Sequence, residues 1–379
     1  MNSHLDAYLN RQLGTLKAHG LFRDPADAGA RTALSAEPGN EPLLDASSSD
    51  YLGLARGDVS RETATGAGAS RLVQGTRPEH EALEREVADW VGQESALLFT
   101  SAYAANVGAI SALGGDDAIV ISDALNHASI IDGCRLARAE VLVTPHLDLG
   151  AVDGALSAAR STPVRWVVVE SYFSMDGDGP NLPALRALCD RHRAFLMVDE
   201  AHALGVFGPS GAGRCAELGV KPDALVGGFG KAVGSQGGFV AGSSTLRTFL
   251  WNRARSFVFS TAPSPSLCAD TLGQVRAARS ADRSRELIRD SAELLRARLR
   301  ELGLEVAPRS FGPIVAVLLG DAERAVSVAS ALRARRILAQ PIRPPTVPTG
   351  SSRLRLTVTA NLGATEVERI ARAVAEAAA

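Results

Sequence analysis

From about residue 80, short apolar runs alternate along the chain with segments of helical periodicity. The apolar runs are ALLFT (96–100), AIVIS (118–122), VLVTP (141–145), VRWVVVES (164–171), FLMVDEA (195–201), ALVGG (224–228) and FVAG (239–242). Each is too short for a buried helix. Continuous apolar strands separated by helices predict a largely parallel sheet covered on both faces. HEALEREVADWVG (80–92) and SAYAANVGAISALG (101–114) are two of the intervening helical segments. Upstream, residues 3–19 place Leu5, Leu9, Leu13 and Leu16 at helical spacing behind a Ser3 cap.

The pattern changes after residue 283. RSRELIRDSAELLRARLRELG predicts a long amphipathic helix with Gly303 as its stop. IVAVLL, a helix, the extended RILAQPIRPPTVP, RLRLTVT and a closing helix follow, which is the pattern of a smaller α+β domain. The expected organisation is an N-terminal helical segment (1–46), a large α/β domain (47–282) and a C-terminal α+β domain (283–379).

Composition narrows the classes. At 379 residues the chain exceeds one simple core. With 46% apolar residues, 22% charged residues and a formal charge of −2, it has an ordinary globular composition and no basic excess for nucleic acid. No run approaches the roughly 18 apolar residues of a membrane span. MNSHLDAYLNRQL lacks the basic start and apolar run of a secretory signal. The four cysteines, Cys134, Cys189, Cys215 and Cys268, form no CxxC pair. They predict neither a zinc site nor a disulfide scaffold, and a reducing, cytoplasmic setting fits them. No metal is expected.

Candidate chemistry gathers at the ends of the predicted strands, where open α/β sheets bind ligands. Asp199 follows FLMV and opens the tetrapeptide DEAH. One class with this signature is the nucleotide hydrolases, which need the phosphate loop G-x-x-x-x-G-K-[ST]. Gly230-Lys231 is followed by Ala232, and Leu225 stands where the first glycine is required, so the loop fails twice. The other class is the pyridoxal phosphate (PLP) enzymes, which need a lysine for a Schiff base and an acid for the pyridine nitrogen. LVGGFGKAVGSQGG (225–238) sets Lys231 among six glycines, which would let backbone pass close to a flat ring. A lysine in a flexible turn and an aspartate capping a turn remain the structural alternatives. His127 in SDALNHASI could stack on a ring or be a histidine bonded to a neighbouring carbonyl. Ser101-Ala102-Tyr103 opens a helix, whose N–H groups suit a phosphate as well as a serine cap. His202 and Ser174 could reach a ring hydroxyl. In RLRLTVT, Arg353 and Arg355 share one face, where an arginine fork suits a carboxylate, although a solvated strand face explains either alone.

SSSDYLGL (47–54), GAGASRLVQG (66–75), HEALE (80–84), SDALNHASIIDG (122–133), FSMDGDGPNL (173–182), VDEAHALGVFG (198–208), GKAVG (230–234) and IRPPTVP (342–348) occur in one order. Together they closely resemble the α-oxoamine synthases, over nearly the whole chain. The resemblance implies a fold-type I PLP-dependent transferase, α/β, with a mostly parallel central sheet flanked by helices and a smaller α+β C-terminal domain. It implies that Lys231 carries the cofactor and moves the α-proton, that Asp199 pairs with the pyridine nitrogen and that His127 stacks on the ring. His202 and Ser174 would contact the ring hydroxyl region, Glu170 would support the site, and Ala102 and Tyr103 would bind phosphate through their N–H groups. Ser260 and Thr261 match a segment that reaches the phosphate of a second copy, implying a homodimer. Arg355, Arg23, Thr346 and Ser49 match substrate-binding positions, and His127 borders the substrate as well. IRPPTVP before RLRLTVTA resembles the branch that condenses L-alanine with a pimeloyl thioester, on coenzyme A or a carrier protein, in biotin synthesis. Siblings that join glycine or serine to acetyl or palmitoyl thioesters are the alternatives. Three positions depart from the family pattern. Ser49 stands for asparagine, Ala102 for glycine, and Gly228 for a threonine whose phosphate hydrogen bond would be worth about 0.5–1.5 kcal/mol.

Overall fold

A computed structural model describes Ala18 and residues 44–46, 51–52 and 65–379. Ala18 apart, the predicted helix over 3–19 lies outside the described residues, as do Arg23 and Ser49. The chain divides into two compact units. The larger comprises residues 49–288 and 359–361, and the smaller comprises residues 1–48, 289–358 and 362–379.

The strands in chain order are β1 Leu44–Asp45, β2 Ser95–Phe99, β3 Ala118–Asp123, β4 Glu140–Thr144, β5 Val164–Glu170, β6 Phe195–Asp199, β7 Ala224–Gly228, β8 Gly238–Gly242, β9 Ile314–Gly320, β10 Ile337–Leu338, β11 Gln340–Ile342 and β12 Ser352–Thr357. The larger unit holds a seven-stranded sheet in the order β2-β8-β7-β6-β5-β3-β4. All neighbouring pairs are parallel except those made by β8, which runs antiparallel to both β2 and β7. β7 and β8 are joined by the loop that carries Lys231, so no crossover helix is needed there and an antiparallel pair results.

Alternation along each strand explains the two covered faces. Leu98, Val167, Leu196, Val198 and Leu225 join one core with Leu83 and Val87 of helix α1, Pro78–Trp90. Leu97, Val168, Met197 and Val226 join the other. That second face is covered by helix α2, Ala102–Leu113, through Ala105, Ala109 and Ile110, and by helix α3, Ala128–Leu136, through Ile130 and Cys134. All four cysteines are buried free thiols. Within this core Glu84 is buried as an ion, accepting from Arg71 at 2.9 Å, Arg247 at 3.0 Å and the Leu98 N–H at 3.1 Å. A buried carboxylate is tolerable only with such partners.

The smaller unit is built on the antiparallel sheet β11-β12-β9 and the parallel pair β1-β10. Val315, Val317, Leu354 and Leu356 form its core with Leu295, Leu299, Val328, Leu332, Val367 and Ile370 of three helices. The long helix Asp282–Glu301 ends as its sequence predicts, with Gly303 at φ 81°. Arg353 and Arg355 do share a strand face, but they are buried (6% and 7% exposed), so that face is not the solvated one their pattern allows. Among the described residues, no helix is long and apolar enough to cross a membrane.

The glycines of 225–238 serve chiefly the sheet itself. Gly228 and Gly238 are paired across β7 and β8. A Cβ on Gly238 would lie 2.4 Å from Ala102 N and 2.6 Å from Ala102 Cα, because the start of α2 rests directly on the strand. Gly238→Ala should therefore destabilise the protein by roughly 1–3 kcal/mol. Gly154, on a helix with open space around it, provides the control, since alanine there should be neutral or stabilising. A thermal-melt comparison of the two variants checks this.

Candidate active site

The carboxyl ends of β3, β5, β6 and β7 carry the chemistry of the larger unit. Glu170 and Asp199 end adjacent parallel strands as register partners. Asp199 is 6% exposed. Its Oδ1 accepts the Ala201 N–H at 2.8 Å and its Oδ2 accepts Asn106 Nδ2 at 2.6 Å. Glu170 is 4% exposed. Burial, reinforced by the neighbouring Asp199 charge, pushes its pKa well above the usual carboxylate range, while the His127 N–H and Lys231 oppose the rise.

His127 caps α3 from the loop after β3. Its Nδ1 accepts the Ser129 N–H at 3.2 Å and lies 2.8 Å from Ser129 Oγ. The residue is exposed. Protein packed around part of it lowers its pKa; the Asp199 charge opposes that and the Lys231 charge adds to it. The Tyr103 ring stands edge-on to His127, with centroids 6.3 Å apart. Lys231 is half-buried in the loop after β7, and Gly234 N–H donates to its carbonyl at 2.9 Å. It lies within electrostatic reach of both His127 and Glu170. Lys231, His127, Asp199 and Glu170 are thus brought together, as their strand-end positions predict.

The other predicted residues fall into three groups. Ser101 Oγ accepts the Ala104 N–H at 3.0 Å, so the plain serine cap is real. That cap leaves the Ala102 and Tyr103 N–H groups in the helix's first turn, ahead of the intrahelical ladder. A Cβ on Gly228 would lie 3.1 Å from the Ala102 Cβ, so the two departures at 102 and 228 occupy one shared space. His202 Nδ1 pairs with Tyr51 Oη at 2.9 Å, and Ser174 is buried in the turn after β5. Ser260 and Thr261 lie apart in the same unit, where exposed Thr261 bridges Ser70. Thr346 and Arg355 belong to the smaller unit, Thr346 exposed in the turn after β11 and Arg355 on β12.

Several residues of the site escape sequence reasoning because they touch it through other side chains. Asn106, 1% exposed on α2, and Ser129, fully buried on α3, look like routine helix residues in sequence. Within DEAH the two acids divide the work. Asp199 faces the site, whereas Glu200 accepts the Arg214 and Cys215 N–H groups at 2.9 and 2.7 Å and anchors the loop 205–215. His146 is bound by Asp123 at 2.8 Å and Asp178 at 3.2 Å and stands edge-on to Phe173, the residue before Ser174.

The donor set fits PLP. One buried carboxylate is held as an acceptor, an amine stands in the loop after the next strand, an imidazole caps the helix after β3 and a helix N-terminus rests on β8. These are the groups that a basic ring nitrogen, an aldehyde, a flat ring and a phosphate require. A hollow of about 830 Å³ at the opposite, amino-terminal strand ends lacks this chemistry. Its Arg186 is tied to Asp190 and Asp223, each at 2.7 Å.

The family described as aminotransferase class I and II matches residues 41–374. An 8-amino-7-oxononanoate synthase of Anaeromyxobacter dehalogenans is 43% identical over 97% of this chain and 94% of its own length. A serine palmitoyltransferase of Sphingomonas wittichii superposes with a TM-score of 0.88 at 29% identity, covering 100% of this chain and 98% of that one. Another, from S. paucimobilis with a bound PLP–myriocin aldimine, gives a TM-score of 0.85 at 30% identity, covering 88% and 87%.

The His146 cluster yields a pH prediction. Burial works to lower its pKa, but the hydrogen bonds and charges of Asp123 and Asp178 outweigh that and raise it from 6.5 to about 9. A raised folded pKa means stability that is complete below 6.5 and lost as pH climbs through about 9. Unfolding free energy should fall by about 3 kcal/mol across that window. In His146→Gln the fall should vanish when urea unfolding is followed against pH. A decline of equal size in the variant would assign it to other groups.

Proposed function

The chain belongs to the aminotransferase class I and II family, and from that premise we propose that it is a PLP-dependent C-acyltransferase of the α-oxoamine synthase type. It condenses L-alanine with a pimeloyl thioester, on coenzyme A or a carrier protein, to 8-amino-7-oxononanoate, CO₂ and the free thiol, a step of biotin synthesis. The observation that carries the reading is the juxtaposition of Asp199, Glu170, His127 and Lys231 at neighbouring strand ends. The choice of amino acid and acyl group follows the full-length likeness to 8-amino-7-oxononanoate synthases.

When bound, the cofactor supplies an electrophilic aldehyde and an electron-withdrawing ring. Lys231 would hold it covalently and would serve as the base that moves the substrate's α-proton at its Nζ. The chain contains three lysines, Lys17, Lys221 and Lys231; Lys221 is exposed beside the opposite strand ends. Asp199 would pair with the ring nitrogen, and His127 would stack on the ring. Ala102 and Tyr103 would offer backbone N–H groups to the phosphate, and Ser174 and His202 would hold the ring hydroxyl, with His202 steadied by Tyr51. Glu170, its pKa raised by burial and by Asp199, supports the polar end of the site. Arg355, Arg23, Ser49 and Thr346 bind the substrate. In the net reaction, alanine Cα bonds to the acyl carbon, the thiolate leaves, and the carboxylate departs as CO₂.

The enzyme works as a cytoplasmic homodimer in which Ser260 and Thr261 of one copy reach the phosphate of the other. Two neighbouring apolar residues support that face. Phe259 is 72% exposed and Val73 80% exposed, on segments joined by the Ser70–Thr261 bridge. The second reading, a serine-using palmitoyl synthase, is favoured by the close superposition on serine palmitoyltransferases.

The deciding assay offers alanine, glycine and serine against pimeloyl, acetyl and palmitoyl thioesters and measures CO₂ release. Alanine with the pimeloyl thioester should be fastest by at least about tenfold, the factor set by 1.4 kcal/mol of discrimination. Preference for serine with palmitoyl-CoA, or glycine with acetyl-CoA, would transfer the chain to a sibling activity.

A further inference from the structure

We infer that Asn106 and Ser129 form a one-way hydrogen-bond relay from Asp199 to His127, holding Asp199 as an acceptor and His127 as the neutral tautomer protonated on Nε2. The consequences for the cofactor rest on the PLP reading; the relay itself does not.

The direction of the relay follows from an inventory of hydrogens. Asn106 Nδ2 carries two, and both are used: one on Asp199 Oδ2 at 2.6 Å and one on Ser129 Oγ at 2.9 Å. Asn106 Oδ1 is buried with no hydrogen-bond partner. Rotating the amide by half a turn would set this oxygen against the Asp199 carboxylate, acceptor facing acceptor, so the carboxylate dictates the orientation. Leaving a buried carbonyl oxygen unsatisfied is normally costly. The site accepts that cost at the residue that bridges Asp199 and Ser129.

Ser129 is fully buried. Its hydroxyl accepts from Asn106, and its one hydrogen is available to His127 Nδ1, 2.8 Å away. The Ser129 backbone N–H points to the same nitrogen at 3.2 Å. Nδ1 therefore meets two donors, and the ring proton belongs on Nε2. An imidazolium would place a hydrogen on Nδ1 against the Ser129 N–H, a donor that cannot turn away. Asp199 meanwhile keeps one protein donor on each oxygen, with Ala201 N–H at 2.8 Å on Oδ1. One amide thus constrains both the acid and the histidine, and Asn106 and Ser129 are positioning residues that touch neither substrate nor reacting atoms.

Long-range ¹⁵N–¹H NMR of histidine-labelled protein tests this, with His127 assigned by its loss in His127→Asn. At neutral pH the wild-type spectrum should show the Nε2–H tautomer alone, in both apoenzyme and holoenzyme. Ser129→Ala should lose that single-tautomer signature, and Asn106→Leu should retain PLP ten- to a hundredfold less tightly, the effect of one lost charge-assisted hydrogen bond. A wild-type His127 protonated on Nδ1, or on both nitrogens, overturns the relay whether or not either variant folds. Failure of the protein to bind PLP while the tautomer holds would instead overturn the cofactor reading and leave the relay standing.

Discussion

Keeping Asp199 as a hydrogen-bond acceptor at the buried end of β6 is the constraint on which the rest of the site depends. A carboxylate taken out of water without partners would simply protonate. Glu170, its neighbour in register, shows this: burial and the Asp199 charge raise its pKa well above the usual range. Asp199 instead accepts from the Ala201 N–H and Asn106 Nδ2, one donor to each oxygen. An acid held in this way can stabilise a protonated ring nitrogen, and without it an electron-withdrawing ring has little purpose there.

That arrangement explains why the sheet is built as it is. Parallel strands deliver Asp199, Glu170 and the His127 loop to one edge, and the antiparallel return of β8 places the Lys231 loop at the same edge. Helix α2 must then approach closely enough for Asn106 to reach Asp199 while its first turn faces the site. The strand beneath it therefore has no side chain at Gly238. Ala102 and Gly228 are the second half of that fit. Alanine at 102 fills space that a side chain at 228 would require, so the two departures from the family pattern compensate each other sterically.

Much of this is legible in the chain because strands and their terminal residues are local. Seven short apolar runs became the seven strands of the large sheet, and Asp199, Glu170 and Lys231 could be placed from the strands they follow. What escapes is what depends on the third dimension. Asn106 is one polar residue in an alanine-rich helix, and Ser129 reads as a helix-start serine. Their roles appear only when α2 and α3 cover the same face. The glycine-rich loop is a similar case. Two of its glycines, Gly227 and Gly238, answer to the Phe239 ring and to α2, which the sequence does not reveal. Arg353 and Arg355 look like a solvated face because alternation reveals which side they share but not what covers it.

The central claim is that Lys231 carries the cofactor opposite Asp199. Borohydride reduction of the PLP-loaded enzyme, followed by peptide mapping, tests it directly, because the chain offers only Lys17, Lys221 and Lys231 as lysine acceptors. The account predicts a pyridoxyl adduct on Lys231 and its disappearance in Lys231→Ala. An adduct on Lys17 or Lys221 instead, or an adduct that persists in the variant, would contradict it.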